Sequence, residues 1–335
     1  MRSRVYLQSG FWEKLSENTS REGIRTMLDL SDAIVGSEVI ADLSEEMISQ
    51  DKFLMIILKQ GRYKRCDEQY IEKQIETMGM PHKTENLCAT YMLDKKTTEC
   101  KTIEDKYGIV VLDSTSIYSR NYIFKGDGFS LNKKECYSRR YLTFKNNLYH
   151  PCNSLIIIDP YLLLKKKYES EEPYYSRVIK NLESLLDAIL PLKLSITFHL
   201  TIISSLEVPD ELRRMYEKIR KVLKRIRQDL SVILCIVYIS KGYNKSIESF
   251  HSRHILSNTY AIDSEDGFEL FDNNGYILKN NPSVSIVFPR MYGDNRQDIT
   301  KYFNWISSVK NYINEAPETY VYGDKGNRLF DLIQP

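Results

Sequence analysis

The feature that most constrains this chain is an alternation over residues 155–239, where three short apolar runs are separated by two amphipathic stretches of helical length. The first run, Leu155-Ile156-Ile157-Ile158, closes on Asp159. Residues 174–190 then place Val178, Leu182, Leu185, Leu186 and Ile189 at helical spacing and stop at Pro191. A second strand-like run covers 194–204. A second helix opens on Pro209, Asp210 and Glu211 and carries Leu212, Met215, Ile219, Val222, Leu223 and Ile226 on one stripe to about residue 228. Residues 232–239 form the third run. Strands buried on both faces lose their two-residue alternation, and helices of this length between them imply right-handed crossovers. The prediction is an α/β unit with a mixed, mostly parallel sheet. It continues through paired strands at 255–262 and 268–271, a hairpin turn at Asn273-Asn274-Gly275, and a closing helix over 299–313.

A chain of 335 residues exceeds what one core usually organises, so a second domain is expected before this one. Val5-Tyr6-Leu7 reads as an opening strand. Residues 13–58 carry helical spacing, with Val39, Ile40, Leu43 and Met47 on one face, and residues 107–112 form a β-branched run ending at Asp113. The expected organisation is an N-terminal α/β domain over residues 1–130, a basic aromatic connection over 131–151, and a C-terminal α/β domain over 152–335. With 47 Lys and Arg against 45 Asp and Glu, the chain is not globally polybasic. The six cysteines form no CxxC pair, so no zinc ribbon or redox dithiol is signalled and a reducing, cytoplasmic location fits. No secretory signal and no transmembrane segment are read, since the most apolar runs are too short to span a bilayer.

The most specific local signal is Phe250-His251-Ser252-Arg253-His254-Ile255-Leu256-Ser257-Asn258. On a strand, His251 and Arg253 share a face, so an imidazole and a guanidinium could converge on one phosphate. The pattern H-x-R-x4-N resembles the H-x-K-x4-D motif of the phospholipase D superfamily, and more closely the variants in the C-terminal domain of MIT-domain proteins. The resemblance covers roughly residues 152–315. It implies His251 as nucleophile, Arg253 as phosphate binder, and Asn258 where the family has a supporting aspartate; the catalytic candidates are therefore His251, Arg253 and Asn258. No second copy of the motif is present, so turnover on this plan requires a homodimer or larger complex. The competing reading is that His251 and Arg253 are ordinary polar residues bonded to Asp263, Glu265 or Asp266. Asp159, at a strand end, is a candidate member of the same site or a turn cap.

The N-terminal run Val5-Tyr6-Leu7-Gln8-Ser9-Gly10-Phe11-Trp12 resembles the opening strand and loop of a PIN-like nuclease domain, with Glu38 and Asp113 at later acidic positions. That resemblance implies a divalent-metal site built from carboxylates. Gln8 stands where the first is expected, which implies a degenerate domain with no metal bound.

The helix over 209–228 is basic: Arg213, Arg214, Lys218, Arg220, Lys221, Lys224, Arg225 and Arg227 face Asp210, Glu211 and Glu217. With Arg139 and Arg140 in the connection, interleaved with tyrosines, this surface suits a nucleic-acid backbone. The functional expectation is binding, and cleavage where His251 is active, of a phosphodiester ligand, with nucleic acid preferred and no cofactor required; the resemblance places such proteins in bacterial defence. Two alternatives stay open: a non-catalytic scaffold or sensor, and a peripheral module for anionic phospholipid.

Overall fold

The computed structural model describes residues 4–34, 37–60, 62–80, 84–120, 129–131, 151–206, 210–239, 253–265, 267–270, 284–287 and 296–333. They form an α/β protein with two sheets. The first consists of β1 (Arg4–Leu7), β2 (Glu38–Ala41), β3 (Arg62–Arg65), β4 (Thr90–Met92) and β5 (Val110–Leu112), all parallel, in the order β3-β2-β1-β4-β5. The helices connecting them include α1 (Ser9–Ser16), α2 (Arg21–Ile34), α3 (Glu45–Gln50), α4 (Lys52–Gln60), α5 (Glu68–Glu76) and α6 (Thr97–Tyr107); α7 (Ser116–Ser119) follows the last strand. Alternate side chains separate to two faces. Val5, Leu7, Val39 and Ala41 pack with Trp12 and Leu30, whereas Tyr6, Ile40 and Tyr91 pack with Ile71 and Ile75. Burial on both faces explains why Val39 and Ile40 imitate a helical stripe: β2 lies inside the stretch expected to be helical, and the helix that follows it is capped by Ser44, whose hydroxyl accepts from the Met47 amide.

The second sheet contains β6 (Phe129–Leu131), β7 (Ser154–Ile158), β8 (Phe198–Ser204), β9 (Val232–Tyr238), β10 (Arg253–Ser257), β11 (Ala261–Ser264), β12 (Val284–Val287) and β13 (Val321–Gly323). Its order is β13-β9-β8-β7-β10-β11-β12-β6. The expected crossovers are present: β7, β8 and β9 are parallel, joined through α8 (Glu171–Ile189) and α9 (Glu211–Ile226). On either side of this parallel centre the added strands run antiparallel. β6 spans the expected start of the connection at residue 131 and pairs with β12, so the second sheet also draws on Phe129 and Ser130, from before that connection. The closing helix is α10 (Arg296–Glu315).

Residues 255–262 are not one strand but the facing halves of β10 and β11, turned at Asn258 to Tyr260. The Ser257 hydroxyl accepts from the Thr259 and Tyr260 amides and closes that turn. The segment from Phe268 is irregular, although Phe268 and Leu270 are buried. The expected turn at Asn273 to Gly275 lies outside the described residues.

One face of the second sheet, with Leu155, Ile157, Ile202 and Ile236, packs under α8 and α9; the other, with Ile156, Ile158, Val237 and Leu256, packs against Tyr302, Ile306 and Val309 of α10. The α8 side continues into the first sheet, because Tyr6, Tyr91 and Tyr107 belong to the same buried cluster as Leu155 and Leu200. Among the described residues no helix is long and apolar enough to cross a membrane.

Candidate anion site at the carboxyl edge of the second sheet

Ligands of α/β sheets gather beyond the carboxyl ends of the parallel strands. At the end of β7 the chain places Asp159, whose amide donates to the Ile203 carbonyl (3.0 Å) and so carries the β7–β8 ladder one residue further. The Asp159 side chain is 1% exposed. Its Oδ1 accepts from the Tyr161 amide (2.8 Å) and its Oδ2 from the Phe268 amide (2.7 Å). Burial raises the carboxyl above its usual range, against the opposing pull of the two amides and of Arg253.

Arg253 comes to this edge through register. β10 runs antiparallel to β7 with His254 opposite Ile158, which brings the preceding residue to the level of Asp159. The Arg253 guanidinium lies over the Tyr161 ring, 5.1 Å from its centroid, and Nη1 donates to the Glu265 carbonyl. Its Nε is buried and has no acceptor. It makes no ion pair within 4 Å with a described carboxylate. Gly267, at φ +83°, fills the angle between the two charged groups: a Cβ there would stand 2.8 Å from Asp159 Oδ2 and 3.3 Å from Arg253 Cδ. A guanidinium with a bare donor, propped on an aromatic face beside a position that only glycine fits, is suited to take an anion. Of the open alternatives for Arg253, its bond to Glu265 is to the backbone, and the buried Asp159 carboxyl is the described acidic group that its charge acts on.

The other candidates fall differently. His251, Arg139 and Arg140 lie outside the described residues, as does Asp266. Asn258 follows the far end of β10, so a strand of five residues, about 16 Å, separates it from the Arg253 end. It is fully buried; Oδ1 accepts from the Asn153 amide and Nδ2 donates to the Gly108 carbonyl, both at 2.8 Å. The structure thus gives Asn258 a place in the joint between the sheets, away from Arg253.

On α9, Arg225 makes a two-bond pair with Glu183 (2.8 and 2.5 Å), and Arg214 pairs with Glu171 (3.3 Å) and covers the Tyr175 ring. A groove of about 750 Å³ runs between α8 and α9 there, with both signs of charge along it. Arg213, Lys221 and Lys224 are exposed and pair with no described carboxylate. Arg227 is 5% exposed and is consumed by Asp187 and the Leu190 carbonyl.

Two groupings escaped the sequence reading. His254, on the opposite face of β10 from Arg253, bonds through Nδ1 to Asp263 and stacks on Trp305 (3.7 Å between centroids). Its Nε2 is buried without a partner. The pairing depends on the β10–β11 register, which a turn at Asn258 would have disclosed. At the carboxyl edge of the first sheet stand Asp42 and Asp94, unnoticed, with Gln8 and Asp113. Gln8 is spent between the Asp94 amide and Glu72 (2.7 Å each), and Asp113, held low by Thr97, Thr115 and Ser116 against the cost of burial, caps a turn. Glu38 is at the start of β2, the opposite edge, paired with Arg4 and Lys64. Among the described residues no group of three or more His, Cys, Asp or Glu side chains is placed to hold a metal. No protein-family model matches the chain, and no curated protein matches it either.

Proposed function

We propose that the protein binds a phosphodiester ligand, nucleic acid, with Arg253 holding a phosphate at the carboxyl edge of β7. The observation that carries this reading is the guanidinium of Arg253, which makes no ion pair within 4 Å with a described carboxylate and is fixed by the Tyr161 ring and the Glu265 carbonyl, with a buried donor that has no acceptor. The exposed Arg213, Lys221 and Lys224 of α9 supply further sequence-independent attraction. Phosphodiesterase or nuclease chemistry on this plan belongs to His251. A second reading, a non-catalytic scaffold or sensor, is favoured by the occupied amides of Gln8 and Asn258, which stand where catalytic carboxylates were expected.

The test is retention of labelled DNA and RNA, and of vesicles containing anionic phospholipid, by the wild type and by Arg253→Gln at several salt concentrations. Binding to nucleic acid should weaken about tenfold in the variant, and its dependence on log salt should flatten by about one unit. Cleavage assays with and without EDTA, beside His251→Ala, separate turnover from binding. Retention on vesicles in place of nucleic acid, or equal binding by Arg253→Gln, would overturn the proposal.

A further inference from the structure

We infer that the ligand at the Arg253 site is single-stranded, its bases stacking on Tyr161 and Tyr168 while its phosphates meet Arg253 and Lys167; this deepens the nucleic-acid reading above and rests on it.

Both tyrosines lie on the segment between β7 and α8. Tyr161 is 52% exposed and Tyr168 is 91% exposed. A lone exposed tyrosine has no special meaning, but Tyr168 has a second property: its φ is +67°, the left-handed region, and it is the single non-glycine residue there among those described. That conformation is unfavourable for a side chain of this size, and it is held in a turn that the Glu169 amide closes on the Lys166 carbonyl (3.0 Å). The turn therefore holds an aromatic ring outward on a left-handed backbone.

Each ring also carries a cation. Arg253 lies over Tyr161 at 5.1 Å and Lys167 over Tyr168 at 4.9 Å. An aromatic face beside a positive charge, present twice on one segment, offers partners for both groups of a single strand, in which every nucleotide has a π-face and a phosphate. A duplex keeps its base faces stacked on one another and presents phosphates alone.

The segment is braced. Arg177 makes two bonds to Glu169 and one to Glu269 (2.8 Å), and Lys166 reaches the same Glu269 (2.9 Å). Glu269 lies in the stretch whose Phe268 amide bonds Asp159, so the tyrosine segment and the Arg253 site are tied to a common support. The same pairs neutralise the nearby acidic side chains Glu169 and Glu269, both oxygens of Asp159 accept backbone bonds, and the exposed Glu265 follows on the same edge. A platform fixed before binding loses little freedom on binding.

The experiment uses the full chain and three labelled probes of about 12 nucleotides: oligothymidylate, the same backbone without bases, and a duplex of matched length. Wild type should bind oligothymidylate about tenfold or more tightly than either other probe. Tyr161→Ala and Tyr168→Gly should each weaken oligothymidylate binding about tenfold and leave the abasic probe unchanged, whereas Arg253→Gln should weaken both. Equal wild-type affinity for the abasic or duplex probe, or tyrosine variants that bind oligothymidylate like the wild type, would overturn the inference and leave the anion site standing. Failure of the wild type to bind any of the three would remove the nucleic-acid reading and the inference with it. Thermal melting of both tyrosine variants confirms that the fold is kept.

Discussion

Tyr168 and His199 show how single residues here trade stability for something else. Relief of left-handed strain by Tyr168→Gly should leave the melting temperature unchanged or higher, by up to about 1 kcal/mol, because glycine occupies that region without a Cβ clash. A fall in melting temperature would mean that the ring contributes to folding. His199 lies on β8, where burial and the neighbouring Arg328 depress its pKa to about 4, with a backbone bond at Gly326 and the charge of Asp324 opposing. In the unfolded chain an ordinary histidine takes its proton near 6.5. Between those two values the unfolded state binds more protons, so stability present above pH 6.5 is lost as pH falls toward 4, by about 2–3 kcal/mol at most. Urea melts at pH 7 and pH 4.5 should therefore show a smaller loss for His199→Gln than for the wild type. An equal loss in both would assign the acid sensitivity to the carboxylates.

At the scale of elements, the turn that closes on Gly267 decides whether Asp159 and Arg253 keep their places. Gly267→Ala should destabilise the protein by about 2 kcal/mol, from the positive φ and the contact with Asp159 Oδ2, and should weaken binding of phosphate-bearing ligands as well. Unaltered melting and binding would show that this turn adapts freely. How far such elements could be read from sequence follows from their periodicity. β7, α8, β8, α9 and β9 were legible because buried parallel strands appear as unbroken apolar runs and the helices between them carry a clean stripe. β2 was hidden, since a four-residue strand covered on both faces has no alternation to distinguish Val39 and Ile40 from a helical face. Arg253 was singled out by the motif spacing, and the β7–β10 register brings it to the level of Asp159. The His254–Asp263–Trp305 group was not, because it joins three elements whose register only the folded hairpin sets. Nor does a tyrosine letter reveal the backbone angle beneath it, so the exposed Tyr168 could be found only in three dimensions.

For the whole molecule, the joint between the sheets is a buried polar knot. Asn153 Nδ2 donates to the Leu87, Tyr107 and Gly108 carbonyls at 2.7, 3.0 and 3.1 Å, and Arg328 Nη1 bonds the Asn153 backbone and side-chain oxygens at 2.9 and 3.1 Å. Gly108 ends α6 in the left-handed conformation, so close to Cys152 that a Cβ would lie 2.4 Å from its carbonyl oxygen. Asn258 completes the knot by donating to Gly108 and accepting from Asn153. Because hydrophobic packing and these bonds run across both sheets, heat or urea should unfold the chain in one transition. The sharpest probe is Asn258→Asp, the change that would complete the H-x-R-x4-D pattern. A carboxylate at 258 would turn an oxygen toward the Gly108 carbonyl in place of a donor and bury a charge in a knot whose cation, Arg328, is already bonded to Asn153 and Thr197. We expect a loss of about 2–4 kcal/mol, with no gain in phosphodiesterase activity. A variant as stable as the wild type, or one that gained cleavage, would return position 258 to the chemistry of the site; a destabilised variant that still binds nucleic acid would establish that this residue serves the union of the two sheets.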